Sequence, residues 1–357
     1  MKNKTEMLIK EIEKRFIIAT EESVSYKDFI LSNIKGLIKK PELMPQSLEE
    51  YVGQERVKSL ISDATISAQK QKRALPHMLL SGFPGMGKTT MAYLIANKIN
   101  RPLIAITGIS LTNAVDVNNL FKLVEKETLP IIFIDEIHSI KSSIAEIFYQ
   151  PMEIPGTQIR TKDMFGNRPI SITVPELTII GATAGDEGKM PKPFFDRFDM
   201  KLYFDKYPVE DMMRIVKLSS QKLKLKMADE LIFEVVKRCS YVPRIANNIL
   251  KRIRDYVIAN NVKNVELDTL AAVFDRLSID ECGIDKIGIM ILEKLSMQCN
   301  GMMGIRSLSN SINMNELTIK SAEIPLLAHG FMDYSNKGRF VTPEGTAHLQ
   351  KINQLKK

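Results

Sequence analysis

The stretch Gly82-Phe83-Pro84-Gly85-Met86-Gly87-Lys88-Thr89 decides the fold class of this chain. An apolar run at residues 78–80 precedes it, and a helix-like stretch at residues 90–100 follows it. Glycines at its first and sixth positions let the backbone turn back sharply, so that successive N–H groups line an anion-binding nest at the N-terminus of the helix. The stretch therefore predicts a P-loop for nucleotide phosphates. A glycine-rich turn in a sheet protein is the alternative, which the flanking strand and helix disfavour.

Two motifs supply the side chains that a metal-bound triphosphate requires. Within the P-loop, we expect Lys88 to reach the β and γ phosphates and Thr89 to place its hydroxyl on Mg²⁺. The run Ile131-Ile132-Phe133-Ile134-Asp135-Glu136 has four apolar residues followed by two carboxylates, which is the Walker B pattern. We expect Asp135 to hold Mg²⁺ through its water shell and Glu136 to orient and deprotonate the attacking water. Together the motifs predict hydrolysis of a nucleoside triphosphate.

Four residues farther along the chain extend this predicted site. Thr183 ends a β-rich run and is placed to hold the attacking water or the γ-phosphate. Arg197 lies on a predicted tight turn and suits neutralisation of charge at a neighbouring subunit's γ-phosphate, although an Arg–Asp pair closing the turn is the alternative. Arg244 follows a proline at a predicted helix start and can fold onto the phosphates. Tyr207 either lies against an adenine ring or belongs to a plain hinge turn.

Length and composition limit the class of protein. The chain has 357 residues, of which 44% are hydrophobic, so two or three domains with substantial cores are expected. Cys239, Cys282 and Cys299 show no C-x-x-C spacing, and the N-terminus mixes Lys with Glu, unlike a signal peptide, which predicts a cytoplasmic protein. No stretch approaches the ~18 apolar residues of a membrane span. The net charge of +8 permits nucleic-acid binding and equally fits a solvated surface.

Hydrophobic patterning predicts an α/β fold class and three domains after an N-terminal extension. Residues 1–40 are predicted to form this helical extension. Residues 41–204 alternate helix-like stretches with β-rich runs, which predicts a parallel sheet with helices on both faces. The β-rich runs are residues 78–80, 103–107, 131–134 and 178–182. Residues 205–283 are predicted to be a wholly helical lid domain, up to about residue 276.

The last segment, residues 284–357, predicts a winged-helix domain. Three helices are expected at residues 284–297, 306–312 and 315–329, and a strand, a turn and a second strand over residues 331–343. Three helices closed by a β-hairpin form a helix-turn-helix variant that often contacts DNA with its third helix or its wing. A protein-binding winged helix is the alternative.

Taken together, these motifs resemble the AAA+ ATPases and, within them, the RuvB family of Holliday junction branch-migration motors. The resemblance covers about residues 43–348. Its matching segments are Leu48-Glu49-Glu50-Tyr51-Val52-Gly53-Gln54-Glu55, the P-loop to Thr90, Phe133-Ile134-Asp135-Glu136-Ile137-His138, Gly181-Ala182-Thr183, Asp196-Arg197-Phe198, Pro243-Arg244-Ile245-Ala246-Asn247 and the wing Lys337-Gly338-Arg339. The chain departs from the family at Met44, Ala184 and Phe195, where Arg, Thr and Arg are usual.

The resemblance implies ATP and Mg²⁺ as cofactors and a role for each matching residue. Lys88, Thr89, Asp135 and Glu136 would bind and hydrolyse ATP, with Thr89 and Asp135 on the metal. Thr183 would be sensor 1, Arg197 the arginine finger that acts in trans, and Arg244 sensor 2. The residues implied at the nucleotide are Tyr51, Val52, Gly82, Pro84, Gly85, Gly87, Lys88, Thr89, Thr90, Tyr207 and Arg244. Of these, Tyr51, Val52 and Tyr207 would border the adenine.

The resemblance also implies the macromolecular partners. They are a hexameric ring of identical subunits and the duplex arms of a four-way DNA junction, bound through the DNA backbone without sequence preference and in a salt-sensitive way. Lys337 and Arg339 of the wing would touch DNA. A β-hairpin predicted over residues 158–174, with its turn at Phe165-Gly166-Asn167, resembles the hairpin that docks on RuvA, the junction-binding partner. In the alternative, its apolar tip packs within the same subunit.

Two other functions fit the same motifs. One is an AAA+ loader that remodels a protein on DNA without translocating. The other is a DNA-binding regulator in which nucleotide only sets the oligomeric state. A translocase needs Glu136 and Arg197 for repeated turnover, whereas a regulator stays competent when Glu136 is replaced by Gln.

Overall fold

The computed structural model describes residues 42–162, 169–185, 187–297 and 302–355. The predicted helical extension at residues 1–40 lies outside these ranges, and so does the predicted hairpin turn at Phe165-Gly166-Asn167. Within the described ranges, no helix combines the length and the apolar character needed to cross a bilayer.

A five-stranded parallel sheet forms the centre of the first domain. The strands of this domain are β1 (Met78–Gly82), β2 (Leu103–Thr107), β3 (Ile131–Asp135), β4 (Gln158–Lys162), β5 (Pro169–Thr173), β6 (Thr178–Thr183) and β7 (Met200–Phe204). The order in the sheet is β2-β3-β6-β1-β7, and β4 pairs with β5 as a separate antiparallel hairpin, as predicted. The edge strand β7 was not predicted, because Lys201 and the exposed Tyr203 interrupt its apolar pattern.

Helices cover both faces of the sheet. One face carries α1 (Glu55–Gln71) and α2 (Lys88–Ile99), and the other carries α3 (Ala114–Val124), α4 (Ser142–Glu153) and α5 (Lys192–Asp196). Successive side chains of a strand point to opposite faces, so Leu80 joins the first apolar core and Leu79 the second. This arrangement confirms the predicted fold class. The predicted tight turn before Arg197 is instead the short helix α5, which ends at Asp196.

The lid domain is helical, as the sequence predicts, and the structure shows four helices in it. They are α6 (Val209–Lys222), α7 (Asp229–Arg238), α8 (Pro243–Ala259) and α9 (Leu267–Leu277). Buried residues at helical spacing, such as Met212 and Val216 on α6, pack against α7 and α8. Pro243 occupies the first turn of α8, where its missing N–H costs no hydrogen bond.

The last domain is a winged helix with one helix more than predicted. Its elements are α10 (Lys286–Ser296), β8 (Met302–Met303), α11 (Ile305–Ile312), α12 (Glu316–Ala328), β9 (Met332–Ser335), β10 (Gly338–Val341) and α13 (Pro343–Leu355). The strands form a small antiparallel sheet in the order β8-β10-β9. Helix α13 starts at Pro343, a residue that the sequence pattern assigned to the end of the hairpin. Leu349 of this helix is buried in the core of the domain.

His77, which directly precedes β1, links the amino ends of the strands of the parallel sheet to α4. Its Nδ1 accepts a hydrogen bond from the N–H of Ile179 at 2.9 Å, and its Nε2 lies 3.0 Å from the carbonyl oxygen of Met152. Both contacts require a neutral ring with the proton on Nε2. Burial lowers the pKa of His77 and outweighs the opposing effects of the Met152 carbonyl and of Asp199.

We expect His77 to make the protein less stable in mild acid. Because its pKa is lower in the folded than in the unfolded chain, unfolding takes up a proton below about pH 6.5, and stability falls by up to about 1.4 kcal/mol per pH unit for that proton. Denaturant unfolding between about pH 7.5 and about pH 5 measures this slope. His77→Gln cannot titrate, so its slope should be smaller. Equal slopes in the two proteins would show that His77 does not carry the effect.

Candidate functional site

The carboxyl edge of the parallel sheet gathers the predicted motifs. In the strand register, Asp135 at the end of β3 lies beside Thr107 of β2, and Thr183 at the end of β6 lies beside Ser81 of β1. The P-loop follows β1 directly and leads into α2 at Lys88. Ligands of open α/β sheets bind at this edge, where neighbouring strands end together.

A cavity of about 940 Å³ opens above this edge, between the first domain and the lid. Most of the predicted nucleotide and catalytic residues line it. These are Tyr51, Val52, Pro84, Gly85, Gly87, Lys88, Thr89, Thr90, Asp135, Glu136, Thr183, Tyr207 and Arg244. Gly82 and Arg197 are not among the lining residues.

Lys88 is buried at the base of the cavity. Its Nζ donates hydrogen bonds to the carbonyl oxygens of Gly82, at 2.5 Å, and of Phe83, at 3.0 Å. Burial lowers the pKa of Lys88 to about 8, while the nearby carboxylate of Asp135 raises it by a smaller amount. The ammonium is therefore desolvated without a paired anion, which favours binding of a phosphate.

The backbone of the P-loop leaves no space for side chains at two of its glycines. Gly87 has φ of 95°, and a Cβ there would lie 2.4 Å from the hydroxyl oxygen of Tyr51. Gly82 has φ of 141°, and its Cβ would lie 2.6 Å from the carbonyl oxygen of Phe204 on β7. Gly82 therefore shapes the start of the loop against the sheet, whereas Gly87 faces the cavity.

A pair of buried tyrosines ties the P-loop to the start of the lid. The hydroxyl of Tyr51 donates to the carbonyl oxygen of Met86 at 3.0 Å and accepts from the hydroxyl of Tyr207 at the same distance. Burial raises the pKa of Tyr51 well above its usual value and that of Tyr207 to about 12, so both stay protonated. Both rings line the cavity beside Val52, where the adenine was predicted.

Two hydrogen bonds hold the Walker B carboxylate of Asp135. Asp135 Oδ2 accepts a hydrogen bond from the Thr89 hydroxyl at 3.2 Å, and its Oδ1 accepts from the backbone N–H of Glu136 at 3.0 Å. Glu136 has φ of 50°, a left-handed conformation that costs a non-glycine residue about 1–3 kcal/mol and that recurs at active sites. Glu136 is exposed, and both Asp135 and Glu136 line the cavity.

Thr183 has a partner that the sequence did not indicate. Its hydroxyl lies 3.1 Å from Nδ1 of His138, which follows the Walker B motif in a short 3-10 helix. His138 therefore fixes the Thr183 side chain on the side of the cavity next to Glu136.

Arg197 lies at the end of α5, where Glu153 and Tyr149 of α4 hold its side chain. Its guanidinium contacts Glu153 Oε1 at 2.7 Å and the carbonyl oxygen of Pro193 at 2.6 Å, and it lies over the Tyr149 ring at 4.2 Å. The side chain is 23% exposed. The partner is thus Glu153 and not Asp196, so the alternative of an Arg–Asp pair closing the turn is not what forms here.

The wing presents its two predicted DNA contacts differently. Lys337 is exposed at the turn between β9 and β10. Arg339 is only 12% exposed and forms an ion pair with Glu323 of α12, which is 1% exposed and also accepts from the Tyr334 hydroxyl at 2.9 Å. The ion pair between Arg339 and Glu323 holds the wing against α12. Breaking this pair would leave the buried carboxylate of Glu323 without a neutralising charge, which is energetically costly.

Several cavity residues were missed by the sequence analysis. They are Leu43, Ile215 and Leu218, which form an apolar wall, Thr107 on β2, and Asn247, Asn248 and Lys251 on α8. The last three follow Arg244 at helical spacing, so the period of α8 was the signal that could have found them. The apolar wall had no such signal, because Leu43 lies before α1 and Ile215 and Leu218 lie on α6, and these segments meet at the cavity only after the lid has packed.

The P-loop and Walker B residues lie at the carboxyl edge of a parallel sheet. A helical lid caps this edge and places an arginine on the same cavity. This combination defines an AAA+ P-loop nucleoside triphosphatase. Sequence profiles of known families match this chain in three consecutive parts. They are the Holliday junction DNA helicase RuvB P-loop domain at residues 43–204, the RuvB AAA lid domain at residues 207–280 and the RuvB C-terminal winged helix domain at residues 281–350.

Individual relatives agree with these profiles. The Holliday junction branch migration complex subunit RuvB of Lactobacillus delbrueckii subsp. bulgaricus is 33% identical over 309 residues, which cover 86% of this chain and 91% of that protein. The subunit of the same name from Sulfurimonas denitrificans is 32% identical over 306 residues, covering 84% and 89%. The Thermotoga maritima RuvB Holliday junction branch migration motor superposes with a TM-score of 0.74 at 28% identity, covering 87% of this chain and 99% of that structure.

The chain belongs to the RuvB family. The predicted family, fold class and enzyme class, an ATP hydrolase, are therefore confirmed, and the cavity is a nucleotide-binding site. The roles of its individual residues stay predictions.

Lys88 should dominate nucleotide affinity. Lys88→Met removes a charge-assisted contact worth about 1.5–3 kcal/mol, so ATP affinity should fall at least about tenfold. In the native protein, affinity should also fall as the pH rises through about 8, because the free Lys88 loses its proton there and phosphate favours the charged form. Titration calorimetry at several pH values measures both effects.

Lys98→Met is the matched control, because Lys98 lies on the same helix, does not line the cavity and pairs with Glu49 at 3.5 Å. It should leave the affinity and its pH dependence unchanged. An affinity that is the same in Lys88→Met as in the native protein would contradict the assignment of Lys88.

Proposed function

We propose that this protein is an ATP-driven motor that moves the arms of four-way DNA junctions. The observation that carries the proposal is a cavity of about 940 Å³ that the P-loop domain and the lid line together, in a chain that also bears the family's winged helix. A nucleotide in such a cavity touches both domains, so its hydrolysis changes the angle between them. The winged helix follows the lid in the chain and transmits that motion to DNA.

The residues that face the triphosphate fit Mg²⁺ as a cofactor. The Thr89 hydroxyl and the Asp135 carboxylate lie 3.2 Å apart at the base of the cavity, and oxygen donors of these two kinds are what Mg²⁺ prefers. When bound, the ion neutralises charge on the phosphate oxygens. Thr89 would contribute a direct ligand, and Asp135 would act through ordered water.

The remaining cavity residues divide the chemistry of hydrolysis among them. Glu136, exposed on the cavity wall, orients the attacking water and accepts its proton. Thr183, fixed by His138, holds the water or the γ-phosphate oxygen. Arg244 lies on the first turn of α8 and directly over the P-loop, since a Cβ added to Gly85 would come within 3.1 Å of its Cβ. It therefore reports the presence of the γ-phosphate to the lid.

Arg197 acts on the site of a neighbouring subunit. It does not line the cavity of its own subunit, and its charge is held at the surface by Glu153. An arginine finger of this kind stabilises transition-state charge and requires a closed arrangement of subunits, for which we propose a hexameric ring.

We propose domain boundaries at residues 41–204, 205–283 and 284–357. No described helix or strand crosses these boundaries.

DNA contacts come from the winged helix and concern the phosphate backbone. Lys337 is an exposed cation at the tip of the wing, whereas Arg339 is engaged with Glu323 and supports the wing from within. Binding of DNA should therefore be independent of sequence and weaken with salt.

The hairpin of β4 and β5 is the proposed docking element for a RuvA-like partner. Cys239 and Cys282 are free thiols, which fits the proposed cytoplasmic location.

The motor is tested by dissociation of a synthetic four-way DNA junction with ATP and Mg²⁺, with and without a RuvA-type partner. We expect junction dissociation by the native protein and a loss of at least about a hundredfold in Glu136→Gln, because the in-line water is no longer activated. Lys88→Ala is the control for nucleotide dependence. ATP hydrolysis that leaves the junction intact under every partner and salt condition would favour the loader, and junction binding that needs no hydrolysis would favour the regulator.

The action of Arg197 in trans is tested by mixing two inactive variants. Arg197→Ala keeps an intact Glu136, and Glu136→Gln keeps an intact Arg197, so a mixed ring contains some interfaces with both groups. ATPase activity should therefore reappear on mixing. A mixture of Arg197→Ala with the double variant lacking both groups is the control and should stay inactive. Absence of recovery in rings shown by mass measurement to be mixed would indicate that Arg197 acts within its own subunit.

A further inference from the structure

A cluster of three potential metal ligands lies where the lid meets the winged helix. Asp280 and Cys282 belong to the segment between α9 and α10, and His348 lies on α13. A carboxylate oxygen, the Sγ atom and an imidazole nitrogen from these residues all lie within 4.8 Å of one another. None of the three lines the nucleotide cavity.

Hydrogen bonds and ring stacking hold two of these ligands in place. Asp280 Oδ1 accepts from the backbone N–H of Cys282 at 2.8 Å and of Ile284 at 2.9 Å, which leaves Oδ2 directed at His348 Nε2, 2.8 Å away. The His348 ring stacks on Phe331 with the centroids 4.4 Å apart. Contacts of this kind orient metal ligands before the ion arrives and raise its affinity.

We propose that Asp280, Cys282 and His348 bind a divalent transition-metal ion with the preferences of zinc. A carboxylate, a thiolate and an imidazole are the three ligand types that Zn²⁺ takes in proteins. Bonds of about 2.0–2.3 Å in a tetrahedral site place the ligand atoms about 3.3–3.8 Å apart. Asp280 Oδ2 and His348 Nε2, which lie 2.8 Å apart, therefore have to separate slightly, while longer distances within the cluster, up to 4.8 Å, have to shorten. Three protein ligands leave the fourth position to water.

Metal binding has to displace the proton of the Cys282 thiol. Burial raises the pKa of this thiol, and the carboxylates of Asp280 and Glu281 add to the effect, while Lys351 and Arg238 oppose it. The thiol is therefore protonated at neutral pH and releases its proton to solvent when the sulfur binds the ion.

The bound ion would join two segments that are distant in sequence. It would fasten the linker at residues 280–282 to the last helix of the winged helix, α13. The lid motion reaches the winged helix through this linker, so the ion would stiffen the connection. An ion that binds only the folded protein also raises the midpoint of thermal unfolding.

The test uses Co²⁺ alone as a spectroscopic probe, added to the full-length protein without nucleotide or DNA. We expect one equivalent to bind with a thiolate-to-cobalt charge-transfer band in the near ultraviolet, and Zn²⁺ to displace it. Cys282→Ser should abolish the band and weaken binding at least about tenfold, since the loss of a ligand costs more than the loss of its supporting contacts. Cys299→Ser, which removes another thiol, is the matched control and should keep the band.

His348→Asn provides a second variant, which tests the imidazole ligand. It should weaken Co²⁺ binding while circular dichroism shows an intact fold, and it should lose the rise in the thermal midpoint caused by Zn²⁺. A native protein without a charge-transfer band, or a band that survives in Cys282→Ser, would overturn the proposal and leave a plain Asp280–His348 ion pair. Because no step involves ATP or DNA, this outcome is independent of the proposed motor function.

Discussion

The hydrogen-bonded pair of Tyr51 and Tyr207 is the constraint on which the nucleotide site depends. Buried hydroxyls need partners, and these two satisfy each other and the carbonyl oxygen of Met86 within the P-loop. Tyr207 stands at the end of the sheet domain, one residue before the proline that caps α6, so the pair connects the phosphate loop, the base-binding wall and the start of the lid. Gly87 has to lack a side chain because the Tyr51 hydroxyl occupies that space.

Three basic side chains of this protein, Lys88, Arg197 and Arg339, have different partners for their positive charge. Lys88 is desolvated and donates to the backbone carbonyls of Gly82 and Phe83, so its buried charge favours binding of a phosphate. Arg197 is held outside its own cavity by Glu153, and Arg339 is neutralised by the buried Glu323. The same residue type thus pairs with an exposed carboxylate at one place and with a buried carboxylate at another, where the pair contributes to the stability of the wing.

Local motifs were predicted well because their physics is local. The P-loop, the Walker B strand and the proline-headed start of α8 were located from sequence, since each needs particular residues within one turn or one strand. Strand β7 and helix α13 were missed. The first is an edge strand with a weak apolar pattern, and the second begins at a proline that reads equally well as the end of a hairpin. Both are held in place by the sheet and core that they join.

By itself, the sequence determined the family and the α/β class, and it predicted the residues at the triphosphate, because these depend on backbone turns and residue types at fixed spacing. Only the tertiary structure decided which side chains face one another. It placed His138 beside Thr183, Glu153 beside Arg197 and Glu323 beside Arg339, and it left Gly82 outside the cavity. Contacts between residues on different elements depend on how helices and strands pack, and that packing is set by the whole core at once.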